Sequence, residues 1–585
     1  MSVGEVRTSQ IITTYGVGAV IAVEDETFMV CGLDRWTPGP EVVEPRLTRE
    51  LRVNELRRPR SSPSDTYRPR DIPVVRFPLW ASCPSCKRLD RWSRLAGYWK
   101  SKCNACDIQL VASRFVTVCE NGHIDDFPYL SWVHDGRIPS GGSHVLELHG
   151  DASTASLAAV VIKCTCGAEA SMQGAFQRGS LAGISACTGM RPWLGDSVEC
   201  SEQPRVLQRG ASNVWFPVNA SALSIPPWSD RVFKAVERVW PMLRAMVEMF
   251  QQAAPEQREN LRAVLEGTIQ GVHLPGLGTD FSVDDVIGAA LARLGFEGDA
   301  SERGLKDEEH EALTRGNSSS SDFVCVPLET TQGGKEVVQT LFDQVMLVKR
   351  LREVRVLTGF TRVLPLSPGD DREVRLVPLV NEDQKYWLPA IDVIGEGVFF
   401  ELRKDRLDQW ERRSDVQERV TKINRNYANR FAAQNRQPDR DITPRLVLVH
   451  SLAHALTTQW ALDCGYPAAS LRERLYVSDE MAGFLIYTAT SDSAGSLGGI
   501  VGLAENGDLD DLITEALREA SWCSSDPLCI ESEGGGVDAL NLAACHACLL
   551  LPEVSCEEMN VLLDRALLVG TADVPSIGFF IDLLS

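Results

Sequence analysis

The residues of this sequence best equipped for chemistry are cysteines in pairs. Cys83-Pro-Ser-Cys86 is followed, after sixteen residues, by Cys103-Asn-Ala-Cys106. Two such turns present four thiolates to one tetrahedral ion, and zinc, which takes sulfur at about 2.3 Å, suits them. Pro84, Ser85, Lys87 and Arg88 mark exposed turns rather than a core of idle thiols. Cys164-Thr-Cys166-Gly167 is a tighter turn, and Cys187 and Cys200 complete a second quartet. Cys119 and His123, from Cys-Glu-Asn-Gly-His, compete as ligands for either of these sites; otherwise His123 is a hydrogen-bonded loop residue. A third group is Cys529, then fifteen residues to Cys545-His-Ala-Cys548, then seven to Cys556. Cys523 is an alternative to Cys529, and His546 is expected to cap the turn. Four protein ligands close a zinc ion, whereas catalytic zinc keeps an open position, so all three groups point to scaffolding. Small lobes with little core draw folding energy from such an ion.

Other constellations are incomplete. His450-Ser-Leu-Ala-His454 places two imidazoles one helical turn apart, but Ser451 stands where a metalloprotease helix carries glutamate. Packing or hydrogen bonding within the domain is the expected role, with a metal or catalytic role as the alternative. Gly333-Gly334-Lys335 is followed by Glu336 and does not form a phosphate-cradling loop. Asp492 and the loop Ser493-Ala494-Gly495-Ser496-Leu497-Gly498-Gly499 follow an apolar strand, and a close-packed turn is the simpler reading. No nuclease or Gly-x-Ser-x-Gly constellation emerges, so no catalytic residue is assigned and the chain is expected not to be an enzyme by itself.

The chain has 585 residues, 44% apolar and 24% charged, a size for three or four domains. No apolar run reaches the ~18–20 residues of a membrane span, and the N-terminus does not read as a signal peptide. A cytoplasmic location is expected, where seventeen mostly paired cysteines favour metal over disulfide. The net charge of −21 is uneven. Asp441–Ser585 hold 22 acidic and 5 basic residues, while Arg46–Arg114 hold 16 basic and 6 acidic. The acidic end suits a protein partner and the basic stretch suits phosphate, or both are solvated surface. Lys87, Arg88, Arg91, Arg94, Lys100 and Lys102, interleaved with Trp80, Trp92, Tyr98 and Trp99, are candidate nucleic-acid contacts; the tryptophans serve equally as core. Arg419, Lys422 and Arg425, on one face of a helix, are a second basic candidate.

The elements that must position these residues form a mixed α/β, multidomain protein with small zinc-ribbon-like lobes. Residues 1–80 read as a strand and loop region, with Ser9–Val20 a turn leading into a strand and Pro59, Pro63, Pro69 and Pro73 marking a loop. Residues 81–205 carry the zinc lobes. Residues 206–440 are mainly helical with some strands. They include helices over 229–253, with Pro241 as a kink or break, and over 282–295, capped by Ser282, then a GNSSSS linker at 316–321. Strand character follows over 344–403, then a long polar helix at 407–436. Residues 441–585 form an α/β zinc-binding domain with helices at 443–462 and 509–520 and a strand at 482–488.

Arg76-Phe-Pro-Leu-Trp80, Cys83-Pro-Ser-Cys86 and Arg114-Phe-Val-Thr-Val-Cys119-Glu-Asn-Gly-His123-Ile-Asp125-Asp126-Phe127-Pro128 resemble the DrmB family of DISARM anti-phage systems. Ser9-Gln10-Ile-Ile-Thr-Thr-Tyr-Gly16 and Arg191-Pro-Trp193-Leu-Gly195 fit as well. The C-terminal region resembles a zinc-binding domain of unknown function found at the end of some bacterial DNA helicases. It does so through His450–His454, Ser491–Gly499, Ser524–Cys529, Cys545–Cys548 and Asn560–Arg565. The middle, about 205–440, carries little of either resemblance. Together they imply a cytoplasmic zinc-binding subunit that pairs with a separate superfamily-2 helicase, DrmA-like, and meets DNA through or beside it, with no membrane and no small-molecule substrate. They place the C-terminal quartet on Cys529, Cys545, Cys548 and Cys556. A metal-dependent nuclease using His450, His454 and Asp492, or a stand-alone nucleic-acid-binding protein, are the alternatives.

Overall fold

The computed structural model describes residues 4–60, 71–97, 100–141, 143–150, 156–271, 281–298, 304–318, 320, 322–329, 336–366, 376–381, 387–433, 436–488, 498–506 and 509–584. Pro63, Pro69, Tyr98, Trp99, Ser319, Ser321, Gly333–Lys335, Asp492 and the Ser493–Leu497 part of the glycine loop lie outside them. The chain forms two compact units, each gathered from three stretches. The first comprises Met1–Val42, Leu51–Ser221 and Arg355–Ile391; the second comprises Val43–Glu50, Ala222–Val354 and Asp392–Ser585.

The first unit is built of short strands and turns. Its largest sheet is antiparallel, in the order Glu169–Ser171, Val160–Cys164, Leu146–Gly150, Arg88–Arg91, Trp80–Ser82, Val111–Ala112. Phe115–Val118 lies between Arg205–Gln208 and Ile124–Asp126 in a second sheet. The apolar clusters are small. One consists of Ala81, Trp92, Leu95, Ala96, Leu110 and Ala112 around Cys83 and Cys103, so the thiols are themselves core residues. Trp92 is buried there, and Trp80 packs on Tyr129 with ring centroids 5.3 Å apart. Both tryptophans are therefore packing residues, not surfaces for stacked bases. At the N-terminus Thr8–Thr13 is a short helix, with Ile11 and Ile12 buried, and a strand follows only at Val20–Val23. Burial of that isoleucine pair overrides their β propensity.

Arg362 fixes part of this unit from inside. Its fully buried guanidinium donates to the carbonyls of Gly122 at 2.8 Å, Val214 at 2.5 Å and Gly18 at 2.9 Å. Burial pushes its pKa down to about 9.

The second unit is organised around the helix Pro444–Cys464. Thr443 caps it through Oγ1, which accepts the Leu446 N–H at 3.2 Å; Pro444 occupies the first turn, and Gly465 ends it at φ 67°. Leu446, Val447, Leu448, Val449, Leu452, Ala453 and Leu456 are all buried, so apolar residues surround the helix, as in a core element rather than a surface one. The hairpin Leu471–Val477 and Ala482–Thr488 packs against it, and the second strand pairs in turn with Gly397–Glu401. Phe400 and Phe484 stack there with centroids 5.1 Å apart. Helix Leu509–Ala520 is as expected, but the polar helix of 407–436 is two, Lys404–Glu411 and Ser414–Ala433. The middle is helical, with Arg231–Gln252, Pro255–Gly271, Val283–Gly298 and Leu305–Arg315. The first of these runs through Pro241. Its buried Phe233, Val236, Val239, Trp240, Leu243 and Val247 hold the face together where a backbone bond is lost. Ser282 caps the third, with Oγ accepting the Asp285 N–H at 3.1 Å. Among the described residues no helix is long and apolar enough to cross a membrane.

Arg362→Ala leaves three buried carbonyls without a donor and is expected to cost about 3 kcal/mol or more. Arg362→Lys should recover only part, since one ammonium cannot match the spread of a guanidinium. Thermal denaturation of the full chain reads both; equal midpoints for wild type and Arg362→Ala would remove this role.

Candidate metal centres

Five groups of metal-ligating side chains converge among the described residues, each with ligand atoms all within 4.8 Å of one another. The first is the expected Cys83, Cys86, Cys103 and Cys106. Its two turns are copies of one another. The carbonyl of Cys83 accepts the Lys87 N–H at 2.9 Å and that of Cys103 accepts the Asp107 N–H at 2.8 Å. Lys87 and Asp107 then turn the chain at φ 63° and 53°. Cys86 and Cys103 Sγ lie 4.0 Å apart, near the ~3.8 Å edge of a tetrahedron with 2.3 Å metal–sulfur bonds and far beyond a disulfide.

The expected second quartet is corrected by the fold, which splits it between two groups. Cys187 and Cys200 join Cys119 and His123, while Cys164 and Cys166 join His134 and His144. Cys119 and His123 sit on the turn between Phe115–Val118 and Ile124–Asp126, with His123 Nδ1 3.4 Å from Cys119 Sγ and 3.7 Å from Cys187 Sγ. Gly122 is required in that turn. Its φ is 81°, and a Cβ there would meet Val377 at 1.9 Å. Arg362 holds the same glycine's carbonyl. The Cys187 thiol is pulled down to about 4, first by its hydrogen bond with Cys119, against burial, and with further help from His123 and the Gly189 N–H. The Cys119 thiol beside it is driven up, by its hydrogen bond with Cys187 and by burial.

In the other group, backbone carbonyls fix both imidazoles. His134 Nδ1 lies 2.8 Å from the Leu130 carbonyl, which leaves Nε2 facing Cys166 Sγ at 3.2 Å. His144 is turned the other way, with Nε2 3.3 Å from the Pro139 carbonyl and Nδ1 3.3 Å from Cys164 Sγ. In each ring the nitrogen opposite the carbonyl contact is the one offered to an ion, the usual outer-shell arrangement for a ligating histidine. Neither histidine belongs to a recognisable spacing motif, and sequence reading missed both. Their only signal is the Cys-x-Cys-Gly turn, which lacked two near partners.

The fourth group also departs from expectation. It is Cys523, Cys529, Cys545 and Cys548, so Cys523 is present in addition to Cys529, and Cys556 is elsewhere. Cys523 and Cys545 Sγ are 3.5 Å apart, and Cys529 and Cys548 are 3.8 Å apart. Asp526 ties the first turn by accepting the Cys523 N–H at 3.0 Å and the Ile530 N–H at 3.1 Å, and it pairs with the buried Arg565. His546 is exposed and outside the group. Cys556 instead meets His450, His454 and Glu473 in a fully buried fifth group.

The basic candidates divide. Lys87, Arg91, Arg94, Lys100 and Lys102 are exposed beside the first group, and Arg88 is half-buried. Arg419 turns inward instead, bonding the buried Asp564 carboxylate at 2.5 and 3.0 Å, so it is not free for phosphate. Lys422 pairs with Glu533 at 2.8 Å, and Arg425 is exposed on the same helix. That face holds the acidic C-terminal segment, which supplied the missing counter-charge.

Fold and sites together define a mixed α/β multidomain protein stapled by Cys₄-type and Cys/His metal groups. Residues 7–216 match a domain of unknown function (DUF8724), and residues 452–549 match the MrfA Zn-binding domain. The chain is 31% identical over 579 residues to the DISARM protein DrmB of Bacillus paralicheniformis, covering 96% of this chain and 99% of that one. The chain belongs to the DISARM protein DrmB family. The 452–549 match includes all four ligands of the fourth group and also His454.

The regrouping can be counted. Cys187→Ser with Cys200→Ser should remove one metal ion per chain, whereas Cys166→Ser with Cys187→Ser should remove two. Native mass spectrometry of the full chain reads the difference; loss of a single ion in both double variants would restore the grouping suggested by sequence order.

Proposed function

We propose that this chain is a non-catalytic, zinc-stabilised subunit of a DISARM system that pairs with a superfamily-2 DNA helicase and helps it load or sense foreign DNA. The observation that carries this reading is the closure of the metal groups in a chain that is a DrmB homologue over nearly its whole length. Four protein ligands leave a tetrahedral zinc ion no position for substrate, so the ions hold lobes rather than activate water. Zinc is the ion that thiolate and imidazole ligands at these separations suit, and the matched domain is named for binding it. ATP hydrolysis then belongs to the partner.

Two surfaces support a partner-bound role. Trp522 and Leu528 flank the ligands Cys523 and Cys529 and are 68% and 83% exposed. A large aromatic held out by a metal-rigidified turn is an anchor of the kind that dominates interface energies. The exposed Lys87, Arg91, Arg94, Lys100 and Lys102 offer phosphate contacts beside the helicase. The nuclease alternative loses its pair of histidines, since His450 and His454 are sealed from solvent.

Purified alone, the chain should hydrolyse no ATP and cut no DNA. Co-expressed with the helicase encoded beside it, it should co-purify as a complex, and Trp522→Ala should weaken that complex about tenfold or more, the effect of losing a hot-spot aromatic. ATP turnover or metal-dependent DNA cleavage by the isolated chain would overturn the reading.

A further inference from the structure

The fifth group joins three distant pieces of the second unit. His450 and His454 stand one turn apart on the central helix, Glu473 lies on the strand Leu471–Val477, and Cys556 lies in the C-terminal segment. All four side chains are buried. His450 Nε2 is 3.2 Å from Cys556 Sγ and 3.2 Å from Glu473 Oε1, and His454 Nε2 is 3.4 Å from the same carboxylate oxygen. We propose that His450, His454, Glu473 and Cys556 are the four ligands of a fifth, fully buried zinc-class metal ion.

The imidazole of His454 argues for an ion rather than a hydrogen-bonded network. Its Nδ1 lies 2.7 Å from the Leu549 carbonyl and donates its proton there. A neutral ring then turns the lone pair of Nε2 inward, and that nitrogen makes no contact of hydrogen-bond geometry although the ring is sealed. Glu473 Oε2 is likewise without a partner, while Oε1 accepts the Glu557 N–H at 3.2 Å. Leaving a sealed imidazole nitrogen unpaired is costly, and a cation at the centre of the four side chains satisfies it. The Cys556 sulfur is oriented by the Asn560 N–H at 3.2 Å.

Charge supports the same ion. A divalent cation with one carboxylate, one thiolate and two neutral imidazoles is a neutral assembly, the form that suits a site without solvent. The four-sulfur groups carry a net charge of −2 around such an ion, and each of them keeps two half-exposed ligands. Two nitrogens, one sulfur and one oxygen also form a borderline donor set that zinc takes tetrahedrally. With every position filled by protein, the ion is structural. It locks the end of the chain onto the central helix, and through Leu549, next to the ligand Cys548, onto the turn of the fourth group.

The test is zinc-edge anomalous diffraction from crystals of the full-length protein, paired with metal counting by native mass spectrometry. An anomalous peak bounded by these four residues is expected, with one metal equivalent lost in Cys556→Ala and in His454→Ala. The other four groups showing peaks while this position shows none would overturn the fifth site and leave them standing. If either variant fails to fold, diffraction from the unmodified protein decides.

Discussion

Convergence of soft ligands on a point is the constraint on which this protein's architecture depends. A tetrahedral ion demands four donor atoms within a few ångströms, and the segments that supply them here lie far apart, up to 106 residues between His450 and Cys556. Around the first group the convergence adds a closure where the apolar cluster is small. The cluster around Cys83 contains few large side chains, and Cys83 and Cys103 are themselves part of it, whereas the one around Cys164 also holds Phe115, Phe127 and Tyr129. Metal affinity and folding are one quantity in such lobes.

The second unit has a different economy. Its core is large and continuous around Pro444–Cys464, and the metal groups sit at its edges and centre rather than replacing it. Charge is arranged with the same care. The excess acid of the C-terminal 145 residues is partly met from within the unit, by Arg419 on Asp564, Lys422 on Glu533 and Lys306 on Glu557. Arg440 on Glu558 adds to it, and Arg474 sits on Glu309 with both side chains buried. Pairs of the last kind fix geometry more than they add stability, because both charges were taken out of water. What remains exposed is a protein that presents cations near its first metal group and an apolar step near its fourth.

Under the proposed function these features serve a component of a larger assembly. A subunit that must hold shape while a motor moves nucleic acid gains from rigid, cross-linked turns at its surface. The Cys523–Cys529 turn, braced by Asp526 and Arg565, carries Trp522 and Leu528 outward at a fixed attitude.

Local sequence determined much of this. Cys83-Pro-Ser-Cys86 and Cys103-Asn-Ala-Cys106 met as expected, because each Cys-x-x-Cys turn already points two sulfurs to one side. The helix after Thr443 and the strand at Ala482–Thr488 were legible because caps and apolar patterning act within a few residues. Tertiary structure alone decided the partners of lone ligands. Cys187 and Cys200 left Cys164 for Cys119 and His123, isolated His134 and His144 joined Cys164 and Cys166, and Cys556 moved to His450 and His454. A single cysteine or histidine carries no direction in the sequence. Its site is set by which strand or helix the fold brings opposite, and that depends on pairings across a hundred residues.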